Sequence, residues 1–164
     1  MRIVEMTAEF AAEMTGWRYR APYQCYDLAD VDPAYFVDPA NGFHALVDDG
    51  GALLGFRSFG PDGRVPGGEY DGSALDTGGG LRPDLTGLGT GLGRRAISTG
   101  LAFGRKRFRP AAFRVTVAAF NTRARRVVES LGFVLVSTFD ATTDGSEYNI
   151  FVLRCPTDSE CSGR

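Results

Sequence analysis

The sequence predicts a mixed α/β layer domain, and three observations carry that prediction. Short β-like runs are interspersed with amphipathic helical stretches along the whole chain. A glycine-rich segment joins one such run to the longest helical stretch. The 164 residues, 43% of them hydrophobic, are enough to build a core without disulfides or metals. The element order reads β-α-β-β-β-α-β-α-β-β. Residues 1–156 read as a single domain and 157–164 as a polar, disordered tail.

Residues 2–6 form the first strand, and Thr7 caps a helix that runs to Met14. Residues 17–36 are aromatic and turn-rich, and Pro22 and Pro33 argue against one long helix there. Phe43–Val47 and Leu53–Phe59 alternate like strands around the hairpin turn Asp48-Asp49-Gly50-Gly51. After a loop over 60–72, Ser73–Leu81 reads as a strand weakened by Gly78-Gly79-Gly80. The main helix spans 92–108, with Ile97, Leu101 and Phe108 on one face beside Ala96, Gly100 and Gly104. A strand follows through Phe113, Val115 and Val117. A short helix then runs from its cap Asn121 to Leu131, with Gly132 at its end. Strands 133–139 and 147–154 flank an Asp144-Gly145 turn.

Composition excludes several classes of function. The one histidine, His44, gives a zinc site or a Ser-His-Asp triad nothing to build on, so no metal is expected. Cys25, Cys155 and Cys161 are odd in number and lack metal spacing, which reads as reduced thiols in a cytoplasmic protein. No apolar run is long enough for a membrane helix, and the N-terminus does not resemble a secretory signal. The net charge of −2 gives no reason to expect nucleic acid as a partner. The charges are segregated, however: the window from Leu85 to Val128 holds ten of the 18 basic residues and none of the 20 acids. It suits a small phosphorylated ligand, or it is simply two solvated arginine-rich helix faces.

The segment Thr86-Gly87-Leu88-Gly89-Thr90-Gly91-Leu92-Gly93-Arg94 is the first chemical signal. Unpaired N–H groups at a helix start attract anions, and glycines let a phosphate approach the backbone. Arg94 and Arg95 oppose the helix dipole there, which is unfavourable unless an anion is present. A P-loop is rejected, since Gly-Lys-Ser/Thr does not follow. The dinucleotide fingerprint fits Gly91-Leu92-Gly93-Arg94-Arg95-Ala96, but no acid stands about 20 residues on to bind a ribose. Coenzyme A is the third reading.

The glycine segment resembles motif A of the GNAT (GCN5-related N-acetyltransferase) superfamily, Q/R-x-x-G-x-G/A. Asn121-Thr122-Arg123-Ala124-Arg125-Arg126-Val127-Val128-Glu129-Ser130-Leu131-Gly132-Phe133 resembles its motif B, N-x-x-A-x-x-x-Y-E-x-x-G-F. Two registers of motif A fit, and neither begins with Gln or Arg. Val128 stands where many relatives carry a tyrosine that protonates the departing thiolate. The resemblance implies a mixed, mostly antiparallel sheet of six to seven strands flanked by helices. It also implies acetyl transfer from acetyl-CoA to a primary amine of a small molecule or peptide; the competing class is a GNAT-like module that binds acyl-CoA and catalyses nothing. A homodimer is left open.

The resemblance further assigns roles. Gly80, Leu81 and Arg82 become the strand-end contacts to pantetheine, with Gly78–Gly80 marking a bulge. Thr86, Gly87, Leu88, Gly89, Thr90, Gly91, Leu92, Gly93 and Arg94 become the phosphate cradle. Asn121 bonds pantetheine or caps its helix. Asp76 is the expected base, on the strand face opposite Leu75, Thr77 and Leu81, with Glu69 and Asp71 behind it. Trp17, Tyr19, Tyr23 and Tyr26 are expected to wall the acceptor pocket, or else to seal the core.

Overall fold

The computed structural model describes residues 1–156, and the tail expected at 157–164 lies outside the described residues. Seven strands form one sheet in the order β1-β2-β3-β4-β5-β7-β6. They are β1 (Arg2–Glu5), β2 (Phe43–Val47), β3 (Leu53–Phe59), β4 (Leu75–Leu81), β5 (Ala112–Ala118), β6 (Val134–Asp140) and β7 (Glu147–Arg154). Every pairing is antiparallel except β4 with β5. The mixed sheet that the sequence implied is therefore present.

Four helices pack on it: α1 (Ala8–Thr15), α2 (Pro33–Val37), α3 (Leu92–Phe108) and α4 (Thr122–Ser130). Thr7 caps α1 by accepting from the Phe10 amide, and Asn121 caps α4 by accepting from Ala124. The one-turn helix α2 was not anticipated. Asp32 caps it, and Pro33 occupies its first turn, where a missing N–H costs nothing. Five residues are too few to show a helical period.

The two sheet faces carry separate cores. Ala11, Met14, Trp17 and Phe36 pack with Phe43, Ala45 and Leu53 on one face. Leu101 and Val128 pack with Phe59, Phe113, Val115 and Phe151 on the other. The small residues of α3 set its distance from the sheet. A Cβ on Gly104 would meet Phe113 and Phe59 at 2.8 and 2.9 Å, so any larger residue would push the helix outward.

β4 and β5 are the elements that place the site. They pair only through Leu75 with Phe113 and Asp76 with Arg114, at their first residues. Beyond that point they diverge and leave a fork. The bulge expected at Gly78–Gly80 is absent: β4 pairs with β3 from Thr77 to Leu81 without a register shift. Divergence from β5 alone opens the sheet.

Candidate functional site

The fork exposes one edge of β4. Asp76 accepts from Gly60 and the Arg82 amide donates to Leu54, so both point their peptide groups toward the β3 side. Backbone groups alternate along a strand. Those of Thr77, Gly79 and Leu81 therefore face the fork, while those of Gly80 and Arg82 face β3. This corrects the sequence expectation for Gly80 and Arg82 and brings in Thr77 and Gly79. The Arg82 side chain is also committed, to Asp84 and to the Leu53 carbonyl. The Leu81 carbonyl, on the fork side, accepts from the Tyr19 hydroxyl at 2.7 Å.

The glycine turn lies beyond the end of β4. Gly87, Gly89 and Gly91 all have left-handed φ, between 68° and 73°, while Leu88 and Thr90 do not. Such alternation turns successive N–H groups toward one concave side and makes an anion nest. Gly91 is the N-cap of α3 and offers no side-chain hydrogen bond, so the first-turn amides of Leu92, Gly93 and Arg94 lack a helical partner. Arg94 and Arg95 are exposed, and no acid stands in that turn. An open depression of about 580 Å³ beside them is lined by Met1, Gly91, Arg94, Arg95, Ser98 and Thr99. Thr86 spends its hydroxyl on the Pro83 carbonyl.

An aromatic segment spans the mouth of the fork. Tyr19 is tied to the end of β4. Tyr26 accepts from Asn121 Nδ2 at 3.2 Å, and Tyr23 accepts from Arg123, both at the start of α4 beyond β5. Phe120 packs against Tyr23 and Tyr26 with ring centres 5.7 and 6.0 Å away. Arg123 lies 4.0 Å from the Tyr23 ring centre, which shows the cluster already accommodates a cation. Burial pushes the Tyr19 and Tyr26 phenols up to about 12, so both stay protonated at neutral pH. Phe120 is a member that sequence reasoning missed; its signal was its position one residue before the α4 cap. Asn121 serves as the cap and as a donor to Tyr26. Trp17 does not belong to the cluster: it is 6% exposed and packs against Phe56 in the core.

The expected base is also displaced. Asp76 lies on the face opposite Leu75 and Thr77, as read from strand alternation, but it is 2% exposed. Arg114 grips both of its oxygens at 2.6 and 2.9 Å, and Arg64 adds a bond of 2.7 Å. A carboxylate holding three charge-assisted bonds is committed to its arginines rather than aimed at a substrate. Asp71 is engaged too, by Arg114 and Ser73. Glu69 is exposed on the loop before β4, with no hydrogen bond among the described residues. Its neighbour Tyr70 reaches Thr116 of β5, beside the fork. Val128 is buried among apolar side chains and brings no hydroxyl.

Among the described residues, no group of His, Cys, Asp and Glu could hold a metal ion, and no helix is long and apolar enough to cross a membrane.

No protein-family model and no curated protein matches this sequence. Solved structures do match. A GNAT-family acetyltransferase from Bacillus anthracis aligns over 93% of each chain, with TM-score 0.70 and 16% identity. The enzyme AAC(6')-Ib, in complex with ribostamycin and coenzyme A, aligns over 93% of this chain and 92% of its own, with TM-score 0.72 and 18% identity. A spermidine N-acetyltransferase, the SpeG K23-Y30 chimera from Vibrio cholerae and hSSAT, aligns over 94% of this chain and 96% of its own, with TM-score 0.67 and 16% identity. At such identities the likeness is one of architecture, and it agrees with the forked sheet: the chain has the fold of the GNAT-family acetyltransferases.

Proposed function

We propose that the chain is an acetyl-CoA-dependent N-acetyltransferase that transfers an acetyl group to a primary amine of a small molecule or peptide by direct attack. The observation that carries this reading is the fork between β4 and β5, with an anion nest at its open end. A pyrophosphate suits the nest and the first-turn amides of α3, and Arg94 adds a cation there. The pantetheine arm carries amide groups, and these suit the backbone groups of Gly79, the Thr77 carbonyl and the Leu81 amide along the fork. Such an arm brings its thioester toward the point where β4 and β5 meet.

Acetyl-CoA would supply an activated carbonyl with a tolerable leaving group. The chain supplies position, and holding two reactants in contact is worth several orders of magnitude in rate. Tyr19, Tyr23, Tyr26 and Phe120 wall the mouth, where an amine would be held against aromatic faces. With Asp76 committed to arginines, Glu69 is the carboxylate free to take the amine's proton, directly or through water. AAC(6')-Ib in its complex holds an aminoglycoside, and the spermidine enzyme is named for a polyamine; both are small amines.

One observation favours a second reading, a module that binds acyl-CoA without turnover: buried Val128 brings no hydroxyl at the position where the motif resemblance places the thiolate's proton donor. Turnover of acetyl-CoA against a panel of polyamines, aminoglycosides and peptide amines separates the two. Release of thiol that depends on an amine supports the enzyme. Binding of coenzyme A with no release above hydrolysis, across the panel, supports the module.

A further inference from the structure

Arg57 is the charged side chain that the reading above leaves without a role. It sits in the middle of β3, is 6% exposed, and has no carboxylate within 4.0 Å among the described residues. Its one hydrogen bond among them runs from Nη2 to Thr77 Oγ1, 2.9 Å. Its Nε is buried with no partner at all. Burial lowers its pKa to about 10, so it remains a cation at neutral pH. A buried cation with neither a counter-ion nor a full set of acceptors costs several kcal/mol.

The surroundings are shaped to admit it. A Cβ on Gly79 of β4 would lie 2.8 Å from Arg57 Nη1, and one on Gly100 of α3 would lie 2.8 Å from its Nε. Two glycines from two elements thus form the slot that holds the guanidinium between sheet and helix. Its anchor, Thr77, is the first residue of β4 past the paired Leu75 and Asp76. The Thr77 hydroxyl itself donates to the Ser58 carbonyl of β3, so the cation lies over β4 and beneath α3, level with the inner end of the fork, the end opposite the anion nest.

We propose that Arg57 is the electrostatic acceptor of the leaving thiolate, in place of the hydroxyl that Val128 does not provide. This rests on the acetyltransferase reading. The amine nitrogen forms a bond to the thioester carbonyl carbon, the carbon–sulfur bond breaks, and its electron pair leaves on sulfur. The amine's proton goes to Glu69 or water. Arg57 stabilises the sulfur anion as a fixed cation and does not need to protonate it; the thiolate takes a proton from solvent on release. A buried cation facing a developing charge is worth more than the same pair in water.

The test is the thiol titration of coenzyme A bound to the protein, followed by thiolate absorbance against pH, with affinity measured separately by calorimetry. The bound thiol should titrate below free coenzyme A. Arg57→Met should bring it back, with about tenfold less thiolate at a given pH, while affinity measured at a pH below the thiol titration, where the ligand binds as the thiol, changes little; Arg57→Lys should fall between. A second readout separates this role from a structural one. Removing an unpaired buried charge should leave the ligand-free melting temperature equal or higher, whereas loss of a structural arginine lowers it. A bound thiol that titrates like the free one, or a thiol unaffected by both substitutions, overturns the proposal and leaves the acetyltransferase reading standing. Failure of the unaltered protein to bind coenzyme A overturns both.

Discussion

At the residue scale, Asp76 shows how a strand pattern can place a side chain and still miss its role. Alternation put Asp76 on the face where a base would stand, and the structure agrees on the face. Its partner Arg114 lies 38 residues away on the neighbouring strand, and no local pattern reveals that pairing. The two readings separate by mutation. Asp76→Asn should cost on the order of 3 kcal/mol of stability, because it takes from the buried Arg114 its one buried counter-ion and leaves only the exposed Asp71, and denaturant unfolding measures that loss. Glu69→Gln should leave unfolding unchanged, since Glu69 is exposed and unbonded among the described residues, yet lower kcat/KM by about 10²-fold. If Glu69→Gln retains full activity across pH, the amine arrives neutral and Glu69 has no part. Trp17 carries the same lesson from the other direction. An aromatic next to Tyr19 reads as pocket or core alike from sequence, and only burial decides.

At the element scale, α3 and the turn before it were legible almost to the residue. The strand-to-glycine-to-helix passage has a physical signature, because the φ values it needs favour glycine and the helix that follows has a clear period. The backbone polarity of β4 was not legible. Which of Thr77 to Arg82 face the fork depends on the register with β3, and register is a long-range property. The short α2 was hidden by its length. The turn yields a direct prediction. Gly91→Asp would place a carboxylate beside the first-turn amides of α3, where a phosphate is read to bind. A Cβ at Gly91 meets nothing within 4 Å, although its φ of +73° imposes about 1 kcal/mol of strain on any other residue. The variant should therefore fold with a modestly lower melting temperature and bind coenzyme A at least tenfold more weakly by calorimetry. Unchanged affinity would move the phosphate site elsewhere.

At the scale of the whole molecule, the acid-free window from Leu85 to Val128 becomes a spatial fact. It covers α3, β5 and the larger part of α4, with Arg94 and Arg95 at the start of α3 and Arg105, Lys106 and Arg107 in its last turn. Arg94 from α3 and Arg123 from α4 come from opposite walls: Arg94 reaches Ser130, and Arg123 lies against Gly87. The two motifs that resembled the GNAT signature are thereby brought to the same opening, which their separation along the chain did not by itself require. The charge segregation, the fork and the fold all lead to one claim, that the cleft binds coenzyme A. The melting temperature with and without that ligand, set beside a nicotinamide dinucleotide at the same concentration, tests it most directly. Ligand that binds only the folded cleft raises the melting temperature, by about 2.7 kcal/mol of added stability at a hundredfold excess over its dissociation constant. The account predicts a rise with coenzyme A and none with the dinucleotide; a rise with the dinucleotide alone, or with neither, contradicts it.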